Sequence, residues 1–285
     1  MSNFNDSFLY PIDVNRAAQE QCGKNYTSQF DPTAQHLWSW TAVCGGYRYS
    51  LDMARAATLQ HGPGFVPVSI GVHAYDWRVY NPSLPANFVQ PILMVSCDKF
   101  GDIEGVRIAI ENLKSALTTI QNWYKVQVGK TFALLAPLIF YSPTTSATWK
   151  SICQSTLQPE TRFSLQEKIE SEFHFRNPKM QYVVGVMGGE HGAGSSNRGG
   201  ITALPPFDCT IFCHPTQFTG MDQVHKDVLY AIGHELGHGF GLEHSDVAKD
   251  PGWETSIMQC GWHNYNTCQL TTAEQFALIN SRYFK

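Results

Sequence analysis

The chain has 285 residues, a formal net charge of −4, 43% hydrophobic residues and 15% charged residues. That length suits one large domain or two modest ones, and the composition excludes a disordered chain. The mild acidity gives no ground for a nucleic-acid or anionic-membrane partner, and no run approaches the roughly 18–20 apolar residues of a membrane span.

Residues 1–88 are rich in aromatics and turn residues and read as an N-terminal extension: a pro-like segment, an accessory domain, or a wrap around the main domain. One helix is expected there at 51–60, entered at Ser50 and stopped by Gly62. HGPGFVP (61–67) and YNPSLPANF (80–88) read as loops. From residue 91 the pattern becomes regular. PILMVSC (91–97) is a short apolar run, hence a buried strand. Val106, Ile110, Leu113, Leu117, Ile120 and Tyr124 then recur at steps of three and four, which predicts a long helix over 103–125 with one buried face. ALLAPLIFY (133–141) is a strand candidate in which Pro137 marks an edge or bulge. Ser164 and Glu167 form a capping box for a helix at 165–173.

QYVVGVM (181–187) is a further strand, followed by a glycine-rich loop over 188–200 and a short strand, Ile201-Thr202-Ala203-Leu204. A last helix is expected at 272–283, started by Thr271 and Glu274, with Phe276, Ile279 and Tyr283 on its buried face. Interleaved strands and helices over 89–285 give an α+β or mixed α/β domain. The eight cysteines have irregular spacings with no CxxC pair; an even count in a low-lysine chain suits an oxidising compartment and at least two disulfides. The first residues lack the basic and apolar regions of a secretory signal, so export implies an earlier leader or another route.

The chemistry concentrates in AIGHELGHGFGLEHSD (231–246). His234 and His238 are four apart, so on a helix both imidazoles leave one face and reach one ion. Glu235 points to a different side and can reach a metal-bound water without being a ligand. A catalytic zinc needs a third protein ligand and an open position. His244 lies six residues past His238; Gly241 allows the helix to end and the chain to turn back, which brings His244 to the same ion. Gly237 and Gly239 weaken a helix interior and are expected where close approach requires them.

The eleven residues from His234 to His244 match HExxHxxGxxH, and they resemble the zinc signature of the metzincin metallopeptidases. Met258 in SIMQCG (256–261) stands where that family has a methionine turn beneath the zinc, and Ser245 is most similar to the matrixin branch. The resemblance implies a zincin-like catalytic domain over 89–285, with a twisted sheet, a long helix, an active-site helix and a C-terminal helix. It implies one zinc ion on His234, His238 and His244, and hydrolysis of a protein or peptide substrate outside the cell by a zinc-bound water with Glu235 as general base. Gly200, Ile201, Thr202, Ala203 and Leu204 resemble the family's substrate-pairing edge strand, with a plain core strand as the alternative.

Some branches place a tyrosine two residues after the methionine. Here that position is Cys260, and Tyr265 is the candidate substitute; a Cys260–Cys268 bridge would pin the loop between them. Glu190 and His191 are candidates for an additional structural ion, with a solvated loop as the plainer reading, and Asp246 for orienting His244. The alternative function is a non-proteolytic binding or adhesion protein on a metallopeptidase scaffold.

Overall fold

The computed structural model describes residues 4–5, 9–30, 40–70, 76–81, 87–161, 163–172, 177, 179–187, 195–196, 200–204, 222–259 and 267–285. Its strands are β1 (Phe4–Asn5), β2 (Leu9–Pro11), β3 (Thr27–Phe30), β4 (Trp40–Cys44), β5 (Tyr47–Ser50), β6 (Val66–Ser69), β7 (Trp77–Tyr80), β8 (Phe88–Ser96), β9 (Ala133–Leu135), β10 (Leu138–Ser142), β11 (Gln181–Met187), β12 (Ser195–Ser196) and β13 (Ile201–Leu204). The α-helices are α1 (Val14–Cys22), α2 (Met53–His61), α3 (Ile103–Val128), α4 (Ser146–Ser155), α5 (Ser164–Glu172), α6 (Asp222–Gly239), α7 (Ser245–Ala248) and α8 (Thr272–Ile279).

The main sheet runs β12-β13-β11-β8-β10-β6-β7-β2, with β9 paired to β8 and β1 to β9. β8 lies parallel to β10 and β11, and β13 lies parallel to β11. Both faces of β8 are covered, which is why its sequence is a near-continuous apolar run. Val89, Leu93 and Val95 pack with α3, α6 and the C-terminal residues in one core. Ile92 and Met94 point the other way, into a second core with Trp149 and Cys153 of α4 and Leu165 and Ile169 of α5. The domain is α+β, as its element order indicates.

The long helix holds the expected face: Val106, Ile110, Leu113, Leu117, Ile120 and Tyr124 are all buried. Asp102 caps it through Gly105 N–H, and Gly129 ends it at φ 76°. Pro137 does more than mark a bulge, since it falls in the break between β9 and β10. Strand β11 spans the expected 181–187.

Several expectations change. Helix α2 is capped by Asp52, whose side chain accepts from Arg55 N–H, so Ser50 stays in β5. Ser164 is the first residue of α5 rather than its cap; its hydroxyl is within 2.7 Å of Ser155 Oγ and holds α5 against α4. Helix α8 does have the Thr271–Glu274 capping box, but it ends at Ile279. Its buried face carries Glu274 and Leu278, while Phe276 is 71% exposed. A carboxylate with inward partners has turned the helix away from the purely apolar periodicity.

The N-terminal strands β2, β6 and β7 belong to the main sheet. β6 pairs antiparallel with β10, β7 with β6, and β2 with β7, so residues 9–11, 66–69 and 77–80 extend the sheet at the end away from β12. Strands before and after residue 88 thus share one sheet. β3, β4 and β5 form a separate three-stranded sheet backed by α1 and α2 around Ala17, Ala18, Trp40, Ala42, Leu51 and Ala56.

Among the described residues no two cysteines are joined, and Cys22, Cys44 and Cys97 carry free thiols. The expected pair of disulfides is thus not found there; Cys209, Cys213 and Cys260 lie outside the described residues. Among the described residues no helix is long and apolar enough to cross a membrane.

Candidate metal centre

Helix α6 carries His234, Glu235 and His238 and docks through Tyr230, Ile232 and Leu236, all buried. It comes unusually close to its neighbours because its inner positions are glycines. A Cβ on Gly233 would lie 2.6 Å from Ile257 Cδ1, one on Gly237 2.3 Å from Met258 Sδ, and one on Gly239 2.6 Å from Gln181 Cδ. The intrinsic helical cost of these glycines, roughly 1 kcal/mol each relative to alanine, is offset by that approach. Tyr124 Oη of α3 donates to the Gly233 carbonyl at 2.8 Å and fixes how far α6 slides.

The helix ends in a Schellman arrangement. Leu242 N–H donates to Gly237 O and Gly241 N–H to His238 O, each at 2.9 Å, with Gly241 at φ 100°. The chain reverses there and His244 comes back over the helix. Gly241 thus does what the spacing required of it.

His234, His238 and His244 converge, each offering one ligand atom, with these atoms all within 4.8 Å of one another. His238 Nε2 lies 3.1 Å from His234 Nε2, which lies 3.3 Å from His244 Nε2. Two of the rings have committed their other nitrogen. His234 Nδ1 donates to Ile257 O at 2.7 Å and His238 Nδ1 to Leu242 O at 2.9 Å. A neutral imidazole that donates from Nδ1 has only a lone pair at Nε2. The His238–His234 approach therefore sets two lone pairs facing one another, an arrangement that a shared cation stabilises and a hydrogen bond between neutral rings cannot explain. Burial pushes the His234 pKa down to about 3, helped by His238 and His244, which keeps its lone pair available. Three nitrogens about 2.0–2.1 Å from one tetrahedral ion stand about 3.3–3.4 Å apart, so the donor set fits a metal ion.

Beneath the site lies the turn Ser256–Gln259. Met258 is fully buried. Ile257 O receives His234, Met258 O accepts from Ser245 N–H at 3.0 Å, and Gln259 O accepts from Tyr230 Oη at 2.6 Å. Tyr230 in turn stacks on His234, with ring centroids 5.7 Å apart. Glu235 is half-buried on the flank of α6.

The other candidates fare differently. Gly200, Ile201, Thr202, Ala203 and Leu204 are buried. β13 is bonded to β11 on one side and to β12, antiparallel, on the other, so among the described residues the two-residue β12 holds the edge. Asp246 makes no hydrogen bond to His244, and its buried Oδ1 has no partner among the described residues. Tyr265, Cys260, Glu190 and His191 lie outside the described residues.

Sequence reasoning missed three supports. Gln181, fully buried at the start of β11, donates to Thr202 Oγ1 at 2.8 Å and accepts from Gly200 N–H at 3.1 Å while facing Gly239. Ser256 and Glu274 carry no sequence link, because their contact spans eighteen residues and leaves no periodic trace. Tyr230 reads as one more apolar position of α6.

No family model matches the chain, and no curated protein matches it. Among solved structures, wild-type OgpA from Akkermansia muciniphila is similar at 15% identity over 70% of this chain, with a TM-score of 0.47. A catalytically inactive OgpA in complex with an O-glycopeptide (glycodrosocin) substrate gives 17% identity over the same share and a TM-score of 0.46. A chaperone–substrate complex covers 85% of this chain at 13% identity with a TM-score of 0.33. The chain spans 62% of the length of the OgpA chains and 39% of the chaperone-complex chain.

Proposed function

We propose that this chain is a zinc metallopeptidase. The observation that carries the reading is the convergence of three imidazole Nε2 atoms, two of them in rings whose Nδ1 is committed to a backbone carbonyl. An all-nitrogen set of three histidines suits zinc, whereas carboxylate and carbonyl oxygens suit magnesium or calcium. A bound zinc ion supplies Lewis acidity toward a peptide carbonyl and acidifies water at its open position.

The chain's own residues do the rest. His234, His238 and His244 hold the ion as neutral donors, so its charge is not diminished by the protein. Glu235, next to His234 on α6, takes a proton from the attacking water and returns it to the leaving amine. Main-chain groups at the β12 edge align an extended substrate by strand addition.

The test compares wild type with Glu235→Ala on a peptide library, with and without chelator, alongside metal analysis. Zinc at one per chain in both proteins, with cleavage in wild type alone and its loss on chelation, supports the reading. Equal, negligible cleavage by two zinc-loaded proteins refutes the peptidase and leaves a binding protein on this scaffold. Tyr47 (67% exposed) and Tyr49 (50% exposed) on β5 are the surface that such a protein would use.

A further inference from the structure

The metal ligands are held by more than their own helix. Ser256 opens the turn beneath the site, and its Oγ lies 2.9 and 2.8 Å from the two carboxylate oxygens of Glu274, to which it donates. The same Oγ accepts from Met258 N–H at 3.0 Å. Glu274 Oε2 also accepts from Thr271 N–H at 2.8 Å, closing the capping box of α8. Ser256, Glu274 and Met258 are all at least nine-tenths buried.

That placement is unusual for a helix residue whose capping duty needs no burial. A capping-box glutamate ordinarily reaches back along an exposed first turn. Here it is drawn inward, and the purely apolar face expected of α8 is given up to accommodate it. Burying a carboxylate is unfavourable unless its acceptors are filled. Glu274 fills them on the segment whose three successive carbonyls serve Tyr230, the residue after His244, and His234 itself.

We infer that Glu274 is a positioning residue for the metal centre, acting through Ser256 on the Met258 turn and so on the ring orientation of His234. The chain of contacts is Glu274 carboxylate, Ser256 hydroxyl, turn backbone, Ile257 carbonyl, His234 Nδ1–H. Partners of this outer kind fix the tautomer and direction of a histidine ligand, and their loss typically weakens metal binding about 10–100-fold. This role rests on the metal reading above but not on peptidase activity.

The experiment measures zinc affinity by chelator competition, the visible spectrum of the cobalt-substituted protein, and thermal stability, in wild type and variants of the full chain. Glu274→Ala is expected to weaken zinc at least tenfold and alter the cobalt spectrum. Ser256→Ala should do the same, and the double variant no more than either single. Glu274→Gln, which keeps one acceptor, recovers most of the affinity. Thr271→Ala breaks the helix cap but leaves the Glu274–Ser256 contact, so it lowers the melting temperature with zinc affinity unchanged.

A folded Glu274→Ala that binds zinc like wild type overturns the inference, as does a Thr271→Ala that weakens zinc equally. Should Glu274→Ala not fold, Ser256→Ala carries the same comparison. If wild type itself takes up no zinc, the metal reading falls and the positioning role with it, a result distinct from normal uptake by all variants.

Discussion

Gly237→Ala adds one methyl group between two of the histidines. Two effects compete. The added Cβ raises helix propensity, worth about 1 kcal/mol of stabilisation. It would also lie 2.3 Å from Met258 Sδ, 3.1 Å from Met258 Cε and 3.2 Å from Tyr124 Oη. Overpacking of a core site costs typically about 1–3 kcal/mol. Met258 has no exposed surface, and its backbone is tied at both ends by Ser256 Oγ and Ser245 N–H. Tyr124 is held by its bond to Gly233 O. Neither neighbour moves freely, so the upper part of that range applies and the net loss is about 1–2 kcal/mol. The displacement also pushes on Ile257 O, so zinc affinity should fall about tenfold, at the lower end of outer-partner effects. Urea unfolding of the metal-free protein gives the first number and chelator competition the second. A variant that is as stable as wild type or more so, with unchanged zinc affinity, would show that this glycine is not there for close approach.

Other outcomes rest on the same geometry. Gly241→Ala meets no atom within 4 Å but must hold φ near 100°, so it should destabilise by about 1–2 kcal/mol through backbone strain alone, read by the same unfolding assay. Phe284→Ala should cost about 3–5 kcal/mol, because that ring packs with Tyr124, Phe132 and Phe240 at centroid distances of 5.1–5.9 Å. For the metal-free protein, His234 binds its proton near pH 3 when folded against about 6.5 when unfolded. The unfolded chain therefore holds more protons in that window, and stability falls as pH drops from 6.5 toward 3. His234→Asn should flatten that slope in urea titrations at stepped pH. Glu274 works in the opposite direction: burial raises its carboxyl pKa above the ordinary 4.5, so its contribution is full below that value and declines as pH rises above it, and Glu274→Gln should remove the decline. Saturating zinc should raise the melting temperature of wild type by binding the folded state, and His238→Ala should abolish the increase.

What is legible in the sequence is local. The period of α3 appears residue by residue because one face of a helix meets one core. The histidine spacing can be read because the histidine-bearing turns of the helix and its glycine stop lie within eleven residues. The edge of the sheet is not legible. β13 has the stronger strand sequence, but which strand ends a sheet depends on partners elsewhere, and the two serines of β12 carry no apolar pattern at all. The join between the N-terminal residues and the main sheet is hidden for the same reason: Ser69 finds Ile139 across seventy residues. Glu274 is recognisable as a cap but not as an inward-facing residue, since a glutamate signals water until its partners are known. Gly237 and Gly239 are legible as requirements for close approach, though not as contacts with Met258 and Gln181.

The C-terminal stitch sets a timetable for biosynthesis. Phe284 bridges to Phe132 and closes an aromatic cluster with Phe240, the residue just before the turn that returns His244. Chains grow and fold from the N-terminus. The three histidines are made 40 to 50 residues before Phe284, and before Glu274 and the turn it anchors. A nascent or prematurely terminated chain thus owns all three histidines without the turn that meets them. Competent metal capture would then wait until the turn at Ser256–Gln259 and helix α8 have been made and packed, and fragments that stop before Thr272 would be poor competitors for the same ion.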